Sequence, residues 1–160
     1  MKYRLTDETI VVDRRTLYRI EALKDFADVH KGDKGGYVED EHNLSQSGNC
    51  WVYDNACVHD SAEVRNSACV YGSAKVYGSA NIQSAADYIY IKGLGSEYRG
   101  TTVFRDRNYG VAVKCGCFFG SLDTFEEQVK KTHGDNKFAA EYLKLVELIK
   151  IHFEIDESSK

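Results

Sequence analysis

The chain of 160 residues contains no proline and only one methionine and one tryptophan. Because proline is absent, tight corners depend on glycine, asparagine, aspartate and serine. No apolar run approaches the length needed to span a membrane, and no apolar stretch follows the first four residues. We therefore expect a cytoplasmic protein with no secretory signal and no membrane partner.

Positive charge is not in excess either. The 21 lysines and arginines against 25 aspartates and glutamates leave a net charge of −4. This balance offers no general attraction to nucleic acid, so we expect no nucleic-acid partner unless a local basic patch supplies one. The five cysteines are an odd number, and without a secretory signal reduced thiols are favoured over disulfides.

A repeat of six residues extends from Cys50 to Ile82. In each repeat a small residue stands two positions before an aliphatic one, giving Cys50/Val52, Ala56/Val58, Ala62/Val64, Ala68/Val70, Ala74/Val76 and Ala80/Ile82. Residues two apart in a strand point to the same face, so each pair is predicted to be interior. Two positions after each aliphatic residue we predict a corner, at Asp54, Asp60, Asn66, Gly72, Gly78 and Ser84.

This pattern resembles the hexapeptide repeat of left-handed parallel β-helices, in which three short sides make a coil of about eighteen residues. Stacked coils would place Val52 on Val70, Val58 on Val76 and Val64 on Ile82. An antiparallel meander is the alternative, but a meander has no reason to keep a strict period of six. The predicted fold class is therefore mainly β, a short left-handed parallel β-helix.

The regions on either side complete the predicted domain organisation. Residues 1–31 are expected to form an N-terminal β cap built on a hairpin, and 32–87 the β-helix. Residues 88–160 are expected to form an α+β domain of short strands followed by two helices. A Thr124-x-x-Glu127 capping box predicts the start of the first helix, Gly134 its end, and Asn136 the start of the second.

A second resemblance rests on three segments. They are Gly35-Gly-Tyr-Val, the hexapeptide repeat, and a terminal block from Lys114 to Glu126 followed by Thr132-His-Gly-Asp. Together they are similar to hexapeptide-repeat proteins encoded by phages and prophages. The resemblance implies a fold and a setting in the cytoplasm of a host cell, and it carries over no catalytic residues.

The residues expected to point outward from the repeat include several aromatic ones. Candidates for an oligomer interface are Trp51, Tyr53, Tyr71 and Tyr77. Such a surface is more apolar than an isolated monomer exposes, so either another subunit or the chain's own terminal segments should cover it. Because β-helix proteins that resemble this one are commonly homotrimers, we expect a homotrimer.

His59 is the candidate catalytic residue. Many hexapeptide β-helix proteins are acyltransferases in which a histidine deprotonates the acceptor, and His59 is the histidine of the regular repeat. The repeat is short for an acyl-coenzyme site and carries no long acceptor loop. A histidine in a subunit contact is therefore the favoured interpretation.

Two other sets of residues suggest binding chemistry. Cys115 and Cys117 could hold a soft metal together with His133 or His152, but zinc spacing normally has two or more residues between cysteines. Core packing on one face of a strand is favoured instead, and no metal or cofactor is predicted. The second set is basic and polar and comprises Arg99, Thr101, Arg105, Arg107 and Lys114. These side chains suit the binding of a phosphate or carboxylate group. They are equally typical of a solvated hairpin edge with no binding function.

The resulting hypothesis is a non-enzymatic binding protein of phage origin. It would act as a trimeric scaffold that engages a host defence protein or a small anionic nucleotide signal. One alternative is an acyltransferase with His59 as base. Another is a structural component of the virion or of a scaffold.

Overall fold

The computed structural model describes residues 1–157 of the chain. Its contacts divide the chain into two compact units, Met1–Asp87 and Tyr88–Lys160. No helix among the described residues is both long enough and apolar enough to cross a membrane.

The first unit begins with an antiparallel hairpin of β1 (Tyr3–Val12) and β2 (Arg15–Ala22). Asp13 and Arg14 form its turn, with φ angles of 50° and 66°. Two consecutive residues with positive φ match the right-handed twist of the flanking strands. The predicted hairpin is therefore present, and β3 (Lys34–Val38) pairs antiparallel with its second strand.

The six-residue repeat forms six strands of two residues each. They are β4 (Trp51–Val52), β5 (Cys57–Val58), β6 (Glu63–Val64), β7 (Cys69–Val70), β8 (Lys75–Val76) and β9 (Asn81–Ile82). Strands three repeats apart pair in parallel, which confirms the predicted neighbours Val52/Val70, Val58/Val76 and Val64/Ile82. Five of the six predicted corners have φ between 52° and 66°, and Ser84 is the exception.

The predicted fold class, however, is wrong, because these strands do not build a left-handed parallel β-helix. They are distributed among a five-stranded mixed sheet of order β1-β2-β3-β5-β8 and two separate two-stranded sheets, β4-β7 and β6-β9. Among residues 1–157, no sheet closes or continues as a solenoid. Each repeat offers only two paired residues between corners, whereas β1 and β2 offer ten and eight and pair antiparallel.

The N-terminal hairpin shares one mixed sheet with strands of the repeat. It is continuous with the repeat through β3, which is antiparallel to β2 on one side and parallel to β5 on the other. The small and aliphatic residues of the repeat form the interior, and all twelve are at most 1 % exposed. Complete burial of each aliphatic side chain contributes roughly 1.5–3 kcal/mol, so the repeat stabilises this unit even though it builds no solenoid.

The second unit combines a four-stranded antiparallel sheet with the two expected C-terminal helices. The strands are β10 (Tyr88–Leu94), β11 (Arg99–Asp106), β12 (Gly110–Cys115) and β13 (Phe118–Ser121), paired in chain order. The helices are α1 (Leu122–His133) and α2 (Lys137–His152). Val103 and Val113 of the sheet share a buried core with Phe125, Tyr142 and Ile149 of the helices.

Local sequence signals predicted the end of α1 and the start of α2 correctly, but not the start of α1. The cap of α1 is Ser121, whose hydroxyl accepts from the Thr124 N–H at 3.2 Å, so the predicted capping box at Thr124 is wrong by one turn. Gly134 ends that helix with φ of 65°, as predicted. Asn136 caps α2 by accepting two N–H groups at 3.0 Å each.

Candidate functional site

A cleft of about 300 Å³ opens in the second unit beside the ends of β11 and β12 and the helices α1 and α2. Its apolar lining is Phe118, Phe125, Val129 and Tyr142. Its polar lining is Ser96, Glu97, Arg99, Cys115, Cys117, Gln128, Thr132 and His133. The cleft thus combines an aromatic wall with hydrogen-bonding groups, the composition expected of a small-molecule site.

The aromatic wall is held in place by ring contacts. Phe125 lies between two rings, with centroids 5.4 Å from Phe118 and 5.6 Å from Tyr142. The contact with Tyr142 is edge-to-face, with an angle of 86° between the ring planes. The His133 ring stacks on the same tyrosine with ring centroids 5.9 Å apart and an angle of 26° between the planes. These geometries are favourable for aromatic pairs and leave a pre-formed surface for a planar group.

Tyr142 is fixed by polar contacts as well. Its hydroxyl donates to the Leu94 carbonyl at 3.2 Å and lies 3.6 Å from the Cys115 thiol. That sulfur in turn accepts from the Thr101 hydroxyl at 3.3 Å. Burial, together with the thiol contact, raises the pKa of Tyr142, so the phenol stays protonated near neutral pH.

Arg99 supplies a permanent positive charge to the cleft. Its guanidinium packs across the turn between β12 and β13, where a Cβ on Gly116 would overlap it. Gly116 also has φ of 58°, a conformation that disfavours residues with a side chain. The glycine therefore serves both the turn and the position of the arginine.

The two thiols do not lie where the sequence suggested. Cys115 is the last residue of β12 and is half-buried, whereas Cys117 lies in the turn and is exposed. They therefore do not share one strand face in the core, and both instead line the cleft. The glycine between two cysteines at the junction of two apolar runs was the sequence signal for a turn.

The predicted anion-binding set is only partly brought together. Arg99 lines the cleft and Thr101 is buried behind it, hydrogen-bonded to a thiol of its lining. Arg105 lies six residues further along β11, about 20 Å away, with its guanidinium 5.0 Å from the Phe153 ring. Arg107 is exposed in the following turn, and the Lys114 ammonium donates to the Gly116 carbonyl.

In the first unit, His59 is buried rather than outward-facing, with 1 % of its surface exposed. Its ring is stacked on the Tyr77 ring, with centroids 4.8 Å apart and an angle of 11° between the ring planes. Burial lowers the pKa of His59, and the carboxylates of Asp60 and Asp13 oppose that shift only in part. His59 is therefore neutral near pH 7, but in this conformation it is closed to an acceptor arriving from solvent.

The aromatic interface candidates separate into two groups. Trp51 is 1 % exposed, with Tyr3 and Phe26 packed edge-on at 6.1 and 5.4 Å, so the chain's own N-terminal segment covers it. Tyr53 and Tyr71 stack on each other, with ring centroids 4.4 Å apart and an angle of 8° between the ring planes. Tyr71 remains 48 % exposed, so the outward aromatic surface consists mainly of this stacked pair.

Comparison with known proteins adds a partial similarity. No family model matches the chain. An uncharacterised acetyltransferase of Escherichia coli (strain K12), YdcK, is 39 % identical to it over 61 residues. The match covers 33 % of this chain and 19 % of the length of that protein. Part of the chain is therefore similar to an acetyltransferase, which is compatible with the hexapeptide resemblance, whereas the phage origin stays a prediction.

Proposed function

We propose that the protein acts by binding, and that the cleft of the second unit receives a small molecule with an anionic group and a planar or apolar part. The observation that carries this proposal is the presence of Arg99 and the aromatic wall in one cleft. The guanidinium suits a phosphate or carboxylate through paired N–H donors. The rings of Phe118, Phe125 and Tyr142 suit the planar part of the same molecule.

The size of the cleft limits the ligand. A volume of about 300 Å³ is at the lower end of the range for small-molecule sites, roughly 300–1,000 Å³. A mononucleotide or a smaller aromatic acid would be largely enclosed. Coenzyme A would be enclosed only in part, which favours a small nucleotide signal over a coenzyme as the ligand.

The proposed test is calorimetric titration of the purified chain with AMP, cyclic AMP, ADP-ribose, coenzyme A and benzoate. An Arg99→Gln variant should bind the responsive ligand at least about tenfold more weakly, because a hydrogen bond to a charged group contributes about 1.5–3 kcal/mol. Arg107→Gln, at an exposed arginine of the same unit, is the matched control. Binding that Arg99→Gln leaves intact, or no binding of any probe at millimolar concentration, would refute the assignment of this cleft.

The biological role that we propose follows from the phage resemblance. The ligand would be a host nucleotide signal, or the same surface would engage a host defence protein. The assembled form would be a homotrimer, with the stacked Tyr53 and Tyr71 at its interface. Retention of a host protein by the immobilised chain, lost in the Arg99→Gln variant, would favour the protein partner over the nucleotide.

Acetyl transfer is the second candidate function. It is supported by the similarity to the acetyltransferase YdcK and by a histidine that burial keeps neutral, the state required of a base. The test is release of free thiol from acetyl-coenzyme A in the presence of amine or hydroxyl acceptors. Turnover that disappears in His59→Ala while the fold persists would establish this activity in place of simple binding.

A further inference from the structure

We propose that Glu39, His59 and Asp60 of the first unit form a binding site for a divalent transition-metal ion of the zinc class. One ligand atom from each residue, an imidazole nitrogen and two carboxylate oxygens, lies within 4.8 Å of the others. In a tetrahedral site with metal–ligand distances near 2.1 Å, two ligands are about 3.4 Å apart. The longest separation therefore has to contract by about 1.4 Å, which rotation of the carboxylate side chains can provide.

The juxtaposition is produced by strand register rather than by sequence proximity. Val38 at the end of β3 is paired with Val58 in β5, so the residues that follow each strand are neighbours. The Glu39 N–H donates to the Val58 carbonyl at 3.1 Å, which fixes Glu39 beside His59. Asp60, with φ of 57°, turns the chain at the next corner and presents its carboxylate to the same place.

His59 provides the observation that points to a ligand. It is 99 % buried, and neither ring nitrogen has a hydrogen-bond partner among the described residues. A buried polar group left unpaired is destabilising, so a native structure normally provides a partner for it. Its Nδ1 lies 3.5 Å from Asp60 Oδ2, a separation suitable for two ligands of one ion.

Arg15 shows that a positive charge is already accommodated at these carboxylates. Its guanidinium contacts Glu39 Oε1 at 2.7 Å and Asp60 Oδ1 at 2.5 Å. The second oxygens of both carboxylates are held by the N–H groups of Asp60 and Gly78, at 2.8 and 3.3 Å. The Arg15 side chain is 44 % exposed, so it can move into solvent and leave two oriented carboxylates to a metal ion.

Access and ligand type agree with this assignment. Arg15, Glu39 and Asp60 line a cleft of about 460 Å³ on the surface of the unit, which gives an ion a path to the two carboxylates. An imidazole among the ligands favours zinc, nickel or copper, whereas all-oxygen sites favour magnesium or calcium. Zn²⁺ should therefore bind, and Mg²⁺ should not compete at equal concentration.

The experiment is calorimetric titration with Zn²⁺ alone. Because the exposed Cys117 thiol can also take up zinc, the chain with Cys117→Ser serves as the parent for every variant. Glu39→Gln and Asp60→Asn nearly preserve shape and should each weaken one binding event by at least about tenfold, since even outer-shell changes cost 10- to 100-fold. Arg15→Ala should tighten the same event, because it removes the competing cation.

His30→Ala, at an exposed histidine of the same unit, is the matched control and should leave the affinity unchanged. Thermal unfolding without metal establishes that each variant folds, and Zn²⁺ should raise the midpoint of the parent more than that of Asp60→Asn. No saturable binding in either the parent or Arg15→Ala would overturn the proposal. Binding that both carboxylate substitutions leave unchanged would overturn it as well.

Discussion

Gly36 in β3 offers the sharpest test of how the first unit is packed. A Cβ built on Gly36 would lie 2.5 Å from the Ala56 carbonyl oxygen and 2.6 Å from a methyl group of Val52. Ordinary contacts begin at 3.4 Å, so the carbonyl is about 0.9 Å too close. The carbonyl cannot simply turn away, because the Tyr37 N–H donates to it at 2.9 Å.

The magnitude of Gly36→Ala follows from these contacts. Overpacking a well-packed interior costs typically about 1–3 kcal/mol. Separating β3 from β5 also strains the Tyr37–Ala56 and Glu39–Val58 hydrogen bonds, each with a net contribution of about 1 kcal/mol. We therefore expect a loss of about 3 kcal/mol, which lowers the unfolding midpoint by at least about 6 °C.

The assay is thermal and urea unfolding followed by circular dichroism. The control is Gly120→Ala in β13, whose added Cβ would have the end of the Phe118 ring as its nearest neighbour, at 3.2 Å. The control should cost less than about 1 kcal/mol, because a side-chain end can shift where a paired backbone cannot. A Gly36→Ala chain as stable as the control would show that β3 and β5 are not packed as described.

Three further predictions concern pH, capping and assembly. Burial lowers the pKa of His59 below its unfolded value near 6.5, so on acidification the unfolded chain binds a proton at this residue more readily than the folded chain does. The free energy of unfolding should therefore fall between about pH 7.5 and 5.5. Urea unfolding at both pH values would show this loss, which should be smaller in His59→Phe. Asn136→Ala removes the α2 cap and should cost about 1 kcal/mol in urea unfolding, whereas Lys137→Ala should cost much less. Light scattering should give three times the 18.1 kDa chain mass for the parent and a smaller mass for Tyr71→Glu; a parent of single-chain mass would contradict the homotrimer.

The sequence predicted local features well wherever short-range geometry decides them. The small and aliphatic positions of the repeat are buried, and aspartate, asparagine or glycine takes positive φ at five corners. Both depend on spacing and on residue type within a few positions. The offset of eighteen residues between parallel partners also follows from the period of six.

The candidate cleft was only partly predictable for the opposite reason. Arg99 and the two thiols were selected by residue type, but nothing in the sequence placed them beside Phe125 and Tyr142. Three residues of the predicted anion set, Arg99, Thr101 and Arg105, are spread along β11, because alternate residues of one strand share a face without sharing a location. Distance along the strand, rather than chemical type, excluded Arg105 from the cleft.

The sequence by itself determined the interior residues of the repeat, five of its six corners, the end of α1 and the start of α2, because these depend on local spacing and backbone preference. Tertiary structure alone decided that the hairpin joins the repeat in one mixed sheet, and that Tyr3 and Phe26 cover Trp51. It also brought Glu39 to His59 through the register of β3 and β5. Such contacts depend on which strand edges find hydrogen-bond partners and which apolar surfaces meet, and these choices involve residues far apart in the chain.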